Sequence, residues 1–314
     1  MMVDQFTKND RIAIVTYAGK DKVVLNATRG DEKRKIKKAI DKLKSGGGTA
    51  GAKGIITAYD IAEKNFIEGG NNRIILATDG DFNIGLSSQE DLVNLIEDKR
   101  ESGVFLTVVG AGAYNYNEAA MEQVANHGNG TYEYIDSETQ GRKIFVDEYG
   151  KFFAKAKDVK VQVEFNQDVV NEYRLIGYEN RKLATEDFED DTKDAGEISA
   201  GQNVTALYEI IPVSTGQKNA NAFTIDFRYK QPDNDVSIPL QLEIPDASTP
   251  FDQASEHQRF VSSVAAFGML LRESKYSGTA TYDSVLEWAS KCTDYDPYDY
   301  RKDLQEVILA AKSL

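Results

Sequence analysis

The sequence predicts an α/β protein, an open, doubly wound, mostly parallel sheet followed by an antiparallel β-rich domain and C-terminal helices. Three observations carry this. Apolar β-branched runs alternate with helical periodicity through the first half, the period becomes two after Lys157, and helical spacing returns around Ser255. A chain of 314 residues has room for more than one core. The expected division is 1–157 for the alternating domain, 158–250 for the β-rich domain and 251–314 for the helical segment.

In chain order, residues 1–9 read as the last turn of a helix, with Val3 and Phe6 three apart. Arg11 to Ala18 and Val23 to Asn26 read as strands. Asp31 to Leu43 and Ala50 to Phe66 carry apolar residues at helical spacing, and the glycine-rich loop SGGGTAG lies between them. Arg73 to Thr78 and Val104 to Val109 are buried-type strands. Each precedes a helical pattern, Gln89 to Lys99 and Asn117 to His127. Thr131 to Ile135 adds a last strand, and Glu138 to Phe153 a closing helix.

Beyond Lys157, VKVQVEF, EYRLIGY, VTALYEI, FTIDFRY and VSIPLQLEI alternate as half-buried strands do. The acidic run Glu186 to Asp194 reads as a solvated turn. Helical spacing then holds for Phe260 to Leu271, Val285 to Trp288 and Leu304 to Leu309.

Composition narrows the function. With 51 acidic against 37 basic residues the net charge is -14, a field that repels nucleic-acid phosphates and anionic lipids. No apolar stretch approaches the ~20 residues of a membrane helix, so no direct membrane insertion is expected, and the first residues are not a signal sequence. One cysteine, Cys292, forms neither an internal disulfide nor a thiolate metal cage. Two histidines, His127 and His257, leave oxygen as the expected donor for any metal.

The chemistry-bearing segment is IILATDGDFNIG, Ile74 to Gly85, where an apolar strand runs into Asp79 and Asp81. Open parallel sheets bind ligands at the carboxyl ends of their strands. A carboxylate there, with a hydroxyl such as Thr49 from the neighbouring glycine-rich loop, offers hard oxygens suited to Mg2+ or Ca2+. Equally open is that Asp79 and Asp81 cap the helix beginning near Ser88. An EF-hand reading of Asp79, Asp81, Asn83 and Glu90 fails at Ile84, where glycine is required. The spacing Gly46, Gly48, Gly51 follows a helix instead of a strand, which excludes a dinucleotide fingerprint. A phosphate loop fails because Ala52 stands where lysine belongs.

RIAIVTYAG, GGGTAGAKGI with AYDIAEKNF, and GGNNRIILATDGDFNIG together resemble the von Willebrand factor type A (VWA) domain, in the bacterial YfbK-like subfamily. DVKVQVEFN, EYRLIGYENR and DAGEISAGQNVTALYEI are similar to the C-terminal domain attached to that subfamily. The resemblance covers nearly the whole chain and implies a Rossmann-like sheet bearing a metal-ion-dependent adhesion site. There Mg2+ is held by a D-x-S-x-S loop after the first strand, a loop threonine and an aspartate after the fourth strand. By position, Thr49 and Asp79 correspond to the last two, with Gly48, Gly80, Asp81 and Asn83 at the rim.

The D-x-S-x-S loop and the strand before it do not occur in this sequence, so the resemblance implies a further upstream segment. Two donors alone are expected to hold Mg2+, Mn2+ or Ca2+ weakly or not at all. The implied function is a non-enzymatic adhesion module whose protein partner offers a carboxylate, located by resemblance in the cell envelope or periplasm. The alternatives are a metal-dependent phosphoester-processing enzyme using Asp79 or Asp81, with Lys99 as its nearest lysine, and a structural module with a defunct site.

Overall fold

The computed structural model describes residues 1–17, 22–44, 51–78, 89–112, 117–178, 182–214, 221–232 and 234–314, with only the backbone at Gly51 and Gln89. Two compact units divide them. One comprises Met1–Lys160, Glu189–Asn203 and Arg228–Ile238; the other comprises Val161–Phe188, Val204–Phe227 and Pro239–Leu314.

In the first unit a short 3-10 turn, Met2–Asp4, stands where a helix end was expected. Strands β1 (Arg11–Thr16) and β2 (Lys22–Arg29) pair antiparallel, Arg11 opposite Arg29. Helix α1 (Lys33–Ile40) buries Ile36 and Ala39, which join Val3 and Leu25 in a small core. Then follow α2 (Gly51–Lys64), β3 (Arg73–Thr78), α3 (Gln89–Arg100), β4 (Phe105–Ala111), α4 (Glu118–His127) and β5 (Tyr132–Ile135). Strands β3, β4 and β5 are parallel neighbours in that order, with Thr78 opposite Gly110 and Gly110 opposite Tyr134. This is the expected α/β sheet, and its core is built from Ile55 and Tyr59 of α2, Leu92 and Ile96 of α3, Leu106 and Val108 of β4, and Met121 and Val124 of α4.

The continuous helix expected over Glu138 to Phe153 does not form. The segment is α5 (Glu138–Arg142), a π turn over Lys143–Asp147 and a 3-10 turn over Tyr149–Phe152. Gly141 and Gly150 each weaken a helix by about 1 kcal/mol relative to alanine. Gly150 also lies so close to the backbone of Ala200 that a Cβ there would stand 2.9 Å from its carbonyl oxygen.

The remaining strands are β6 (Ala154–Phe165), β7 (Val170–Ile176), β8 (Gly196–Ser199), β9 (Leu207–Pro212), β10 (Asn221–Lys230) and β11 (Ile238–Pro245). Their order is β11-β10-β6-β8 in one sheet, while β7 and β9 pair antiparallel in another. β6 departs from the simple alternation of VKVQVEF. Lys160 is 4% exposed and Val161 57% exposed, the reverse of what hydropathy predicts. The inward lysine is satisfied because its Nζ donates to the carbonyl of Asp190. The acidic run is likewise more than a solvated turn, since Asp191 accepts from Arg228 at 3.0 Å and from Ser237 Oγ at 2.5 Å.

In the second unit Phe165 stacks on Tyr173 with ring centroids 4.2 Å apart and meets Tyr208 edge-on. Helices α6 (Glu256–Leu271), α7 (Tyr282–Ser290) and α8 (Tyr300–Lys312) bury Phe267, Val285, Ala289 and Ile308 against one another. A capping box of Thr281 and Ser284 starts α7. Cys292 is buried just beyond it, its Sγ 3.3 Å from the carbonyl of Trp288. Tyr295 is 68% exposed, while the rings of Tyr298 and Tyr300 pack against each other.

Candidate functional site

Three segments converge at the carboxyl end of β3. The β-branched run RIILAT makes β3 a buried strand that ends on the buried residue Thr78, immediately before Asp79. Helix α2 runs back along the sheet, so its amino end lies near that strand end. Tyr17, which follows β1, fixes this arrangement, since its hydroxyl donates to the carbonyl of Ala77 at 2.5 Å. The body of Tyr17 packs on Gly54 in the first turn of α2, where a Cβ would stand only 2.4 Å from the Tyr17 Cβ. Glycine at 54 is therefore what allows helix and strand end to share one tyrosine.

Thr49, Gly48, Asp79, Gly80, Asp81 and Asn83 lie outside the described residues. So do the adjoining positions of the TDGDFN loop and Ser88, near which the helix they would cap is expected to begin. Their described neighbours are Gly51, where α2 begins, and Thr78, where β3 ends. The partial positive charge of a helix amino end favours a carboxylate or other anion nearby. Threonine and aspartate oxygens suit a hard divalent cation in chemistry, though two donors fall short of a full shell. Among the described residues no group of three or more His, Cys, Asp or Glu side chains is disposed to hold a metal.

The opposite end of the sheet accounts for Lys99. It stands at the carboxyl end of α3, near the amino ends of the strands, and pairs with Asp60 at 3.6 Å and Glu63 at 3.2 Å. A lysine held there does not serve a phosphoryl group above β3. His127 closes α4 with Nδ1 2.6 Å from Glu97 Oε1, and His257 lies 3.1 Å from Arg301. Neither histidine is at the strand end.

Residues 1–146 match the family described as von Willebrand factor type A domain, and residues 150–314 match the family described as Uncharacterized protein YfbK, C-terminal. The chain belongs to the YfbK family. This YfbK-family chain joins a VWA domain to the YfbK C-terminal domain. It is 38% identical over 327 residues to the Uncharacterized protein YfbK of Escherichia coli (strain K12), covering 98% of the chain and 56% of that relative. It therefore spans about half the length of the curated relative it matches. The fold is also similar to a von Willebrand factor type A structure from Catenulispora acidiphila, with a TM-score of 0.51 and 14% identity over 98% of this chain and 75% of that one. Among the described residues no helix is long and apolar enough to cross a membrane.

A second polar assembly in the VWA-containing unit escaped the sequence reading. Lys230, at the end of β10, is buried, and its Nζ donates to Asp158 Oδ2 at 2.8 Å and to the carbonyl of Asp191 at 2.8 Å. Asp158 Oδ1 accepts from the backbone of Ala195 at 3.2 Å. Glu197 of β8 is pushed up to about 8, first by burial and then by the negative charges of Asp194 and Asp158, with Arg100 pulling the other way. Arg100 donates to Asp194 at 2.7 Å and to Asn129 at 2.9 Å. Burial lowers Arg73 to about 10 despite the field of Glu197. The sequence signal was there in outline, as lysines 160 and 230 on strands and three aspartates between 190 and 194, but it reads as surface charge until the strands are paired.

Proposed function

We propose that this YfbK-family chain is a non-enzymatic protein-interaction module that grips its partner through a divalent cation above the carboxyl end of β3. Thr49 and Asp79 contribute hydroxyl and carboxylate donors, and Gly48, Gly80, Asp81 and Asn83 shape the rim. The observation that carries the reading is the convergence at Tyr17, which ties the first turn of α2 to the last residues of β3. It brings the chain positions next to Thr49 and Asp79 to one place at the end of an open sheet, where such folds bind ligands.

Mg2+ is the cation of choice, with Mn2+ or Ca2+ as substitutes, since all three take oxygen donors. A partner carboxylate completes the shell, so adhesion depends on the metal and is reversed by chelation. A place in the cell envelope belongs to the same proposal.

The test is binding of the protein, carrying whatever its reading frame encodes upstream, to an immobilised glutamate-rich peptide with Mg2+ and then with a chelator. The reading expects a response in Mg2+ that chelation and Asp79→Ala both abolish. Binding indifferent to both contradicts it.

A further inference from the structure

Among the buried ionisable groups, Lys230 and Asp158 are the two whose positions ask for a chemical explanation. They lie on different strands, β10 and β6, and their side chains are 7% and 17% exposed. A simple buried ion pair between such groups contributes little stability, because desolvation of both charges offsets their attraction. The chain also distorts β6 to place the carboxylate. Ala156 pairs with Ile198 and Val159 with Gly196, so Lys157 and Asp158 together face the single residue Glu197. That is a β-bulge, a device that re-aims a side chain and is enriched beside active sites. Asp158 itself has a φ of 50°, a left-handed conformation unfavourable for a non-glycine residue in a strand.

We infer that Lys230 and Asp158 form an intramolecular amide bond, a self-made cross-link between β10 and β6, with Glu197 as the proton-transfer residue. Amide formation needs a neutral amine and a carboxylic acid, so the ammonium first passes a proton to the carboxylate it donates to. The Nζ lone pair then attacks Cγ of Asp158, forming the C–N bond. Glu197, as the neutral acid, protonates the departing hydroxyl; the C–O bond breaks and water leaves. The surplus proton on nitrogen returns to Glu197, which ends as it began. One amide and one water result, without oxidant, reductant or cofactor.

The geometry suits each step. An Nζ 2.8 Å from Oδ2 holds the amine within hydrogen-bond reach of the carboxyl group it would attack. The amide of Ala195 on Oδ1 supplies a donor where the tetrahedral oxyanion would develop. Glu197 faces the bulge from β8 and is held in its protonated form at neutral pH by burial and by its acidic neighbours. The carbonyl of Asp191 accepts from the same Nζ and orients it.

Intact-mass spectrometry of the purified chain tests the bond. The expected mass is one water below that of the sequence, and proteolysis should release a branched peptide joining the segments that carry Lys230 and Asp158. Lys230→Arg keeps the charge pair and should show the full sequence mass while remaining folded by circular dichroism. Glu197→Gln should stay folded and lose water far more slowly than the unaltered chain. A folded unaltered chain with full mass after prolonged incubation overturns the inference, as does water loss that persists in Lys230→Arg. Unchanged water loss in Glu197→Gln overturns the role given to Glu197.

Discussion

The hydroxyl of Tyr17 donates to the carbonyl of Ala77 at 2.5 Å, joining the segment after β1 to the last turn of strand before Asp79. β1 belongs to one sheet and β3 to another, and among the described residues neither sheet extends to the other through strand pairing. One side chain thus ties two separately paired parts of the unit at the end of the sheet where the proposed cation sits. Removing the hydroxyl by Tyr17→Phe leaves a strand carbonyl without this donor, at a cost of about 1 kcal/mol. Denaturant unfolding should show that loss, and metal affinity should fall with it.

Gly54→Ala separates two opposing effects. Alanine is favoured over glycine in a helix interior by about 1 kcal/mol. Here the new Cβ meets the Tyr17 Cβ at 2.4 Å, a backbone-proximal clash that a side-chain rotation does not relieve. Overpacking of this kind costs about 1–3 kcal/mol, so the clash wins and the variant should be less stable. A rise in melting temperature would show that α2 is free to move off Tyr17.

Tyr59 makes the opposite case. It is fully buried in the first unit, and its hydroxyl has no hydrogen-bond partner among the described residues. Burial raises its ionisation well above the usual phenol range. Tyr59→Phe keeps the ring and removes an unsatisfied group, so thermal unfolding should show unchanged or higher stability, by up to about 1 kcal/mol. A large destabilisation would mean that the hydroxyl is satisfied by water.

Glu197 predicts a pH dependence, best read in a Lys230→Arg background where Asp158 keeps its charge. Its folded value of about 8 lies above the ordinary 4.5, so the folded chain holds the proton more tightly than the unfolded chain. The group's contribution is most favourable below about 4.5, declines as pH rises towards 8, and is level above that. Adding Glu197→Gln should remove the decline, so its stabilisation relative to the background grows across that window. A difference that is flat with pH would place the Glu197 carboxyl in water.

Arg301 organises the second unit. It is buried, donates to Glu256 at 2.5 Å and to the carbonyl of Cys292 at 3.3 Å, and lies over the Phe260 ring at 4.6 Å. Arg301→Met keeps the apolar stem but strands Glu256 without its cation and removes the donor to the Cys292 carbonyl, so the variant should be less stable. Denaturant midpoints should fall accordingly, whereas a change within experimental scatter would show Glu256 solvated.

How much of this was legible in the sequence depended on what dictated each element. β3 was read at its observed bounds because RIILAT is a continuous apolar run with sharp polar ends. The broken segment after Glu138 was not, because its apolar spacing is helical while Gly150 answers to a backbone contact with Ala200, fifty positions away in the chain. β8 was missed because GEIS is four residues long and half polar, a strand only by virtue of its partner β6. The inward turn of Lys160 and the meeting of Asp158 with Lys230 depend on a bulge and on pairing across long separations, which no local pattern encodes. Of the proposed cation site, Thr49 and Asp79 come from resemblance alone, while the Tyr17 contacts bring Gly54 and Ala77 in their chain neighbourhood together.

The most direct measurement is a calorimetric titration of Mg2+ and Mn2+ into this chain and into the protein carrying whatever its reading frame encodes upstream, each beside its Asp79→Ala variant. The account predicts weak binding at most by the 314-residue chain, firmer binding by the longer protein, and loss of both in the variant. Binding that survives Asp79→Ala, or none in either protein, would contradict it.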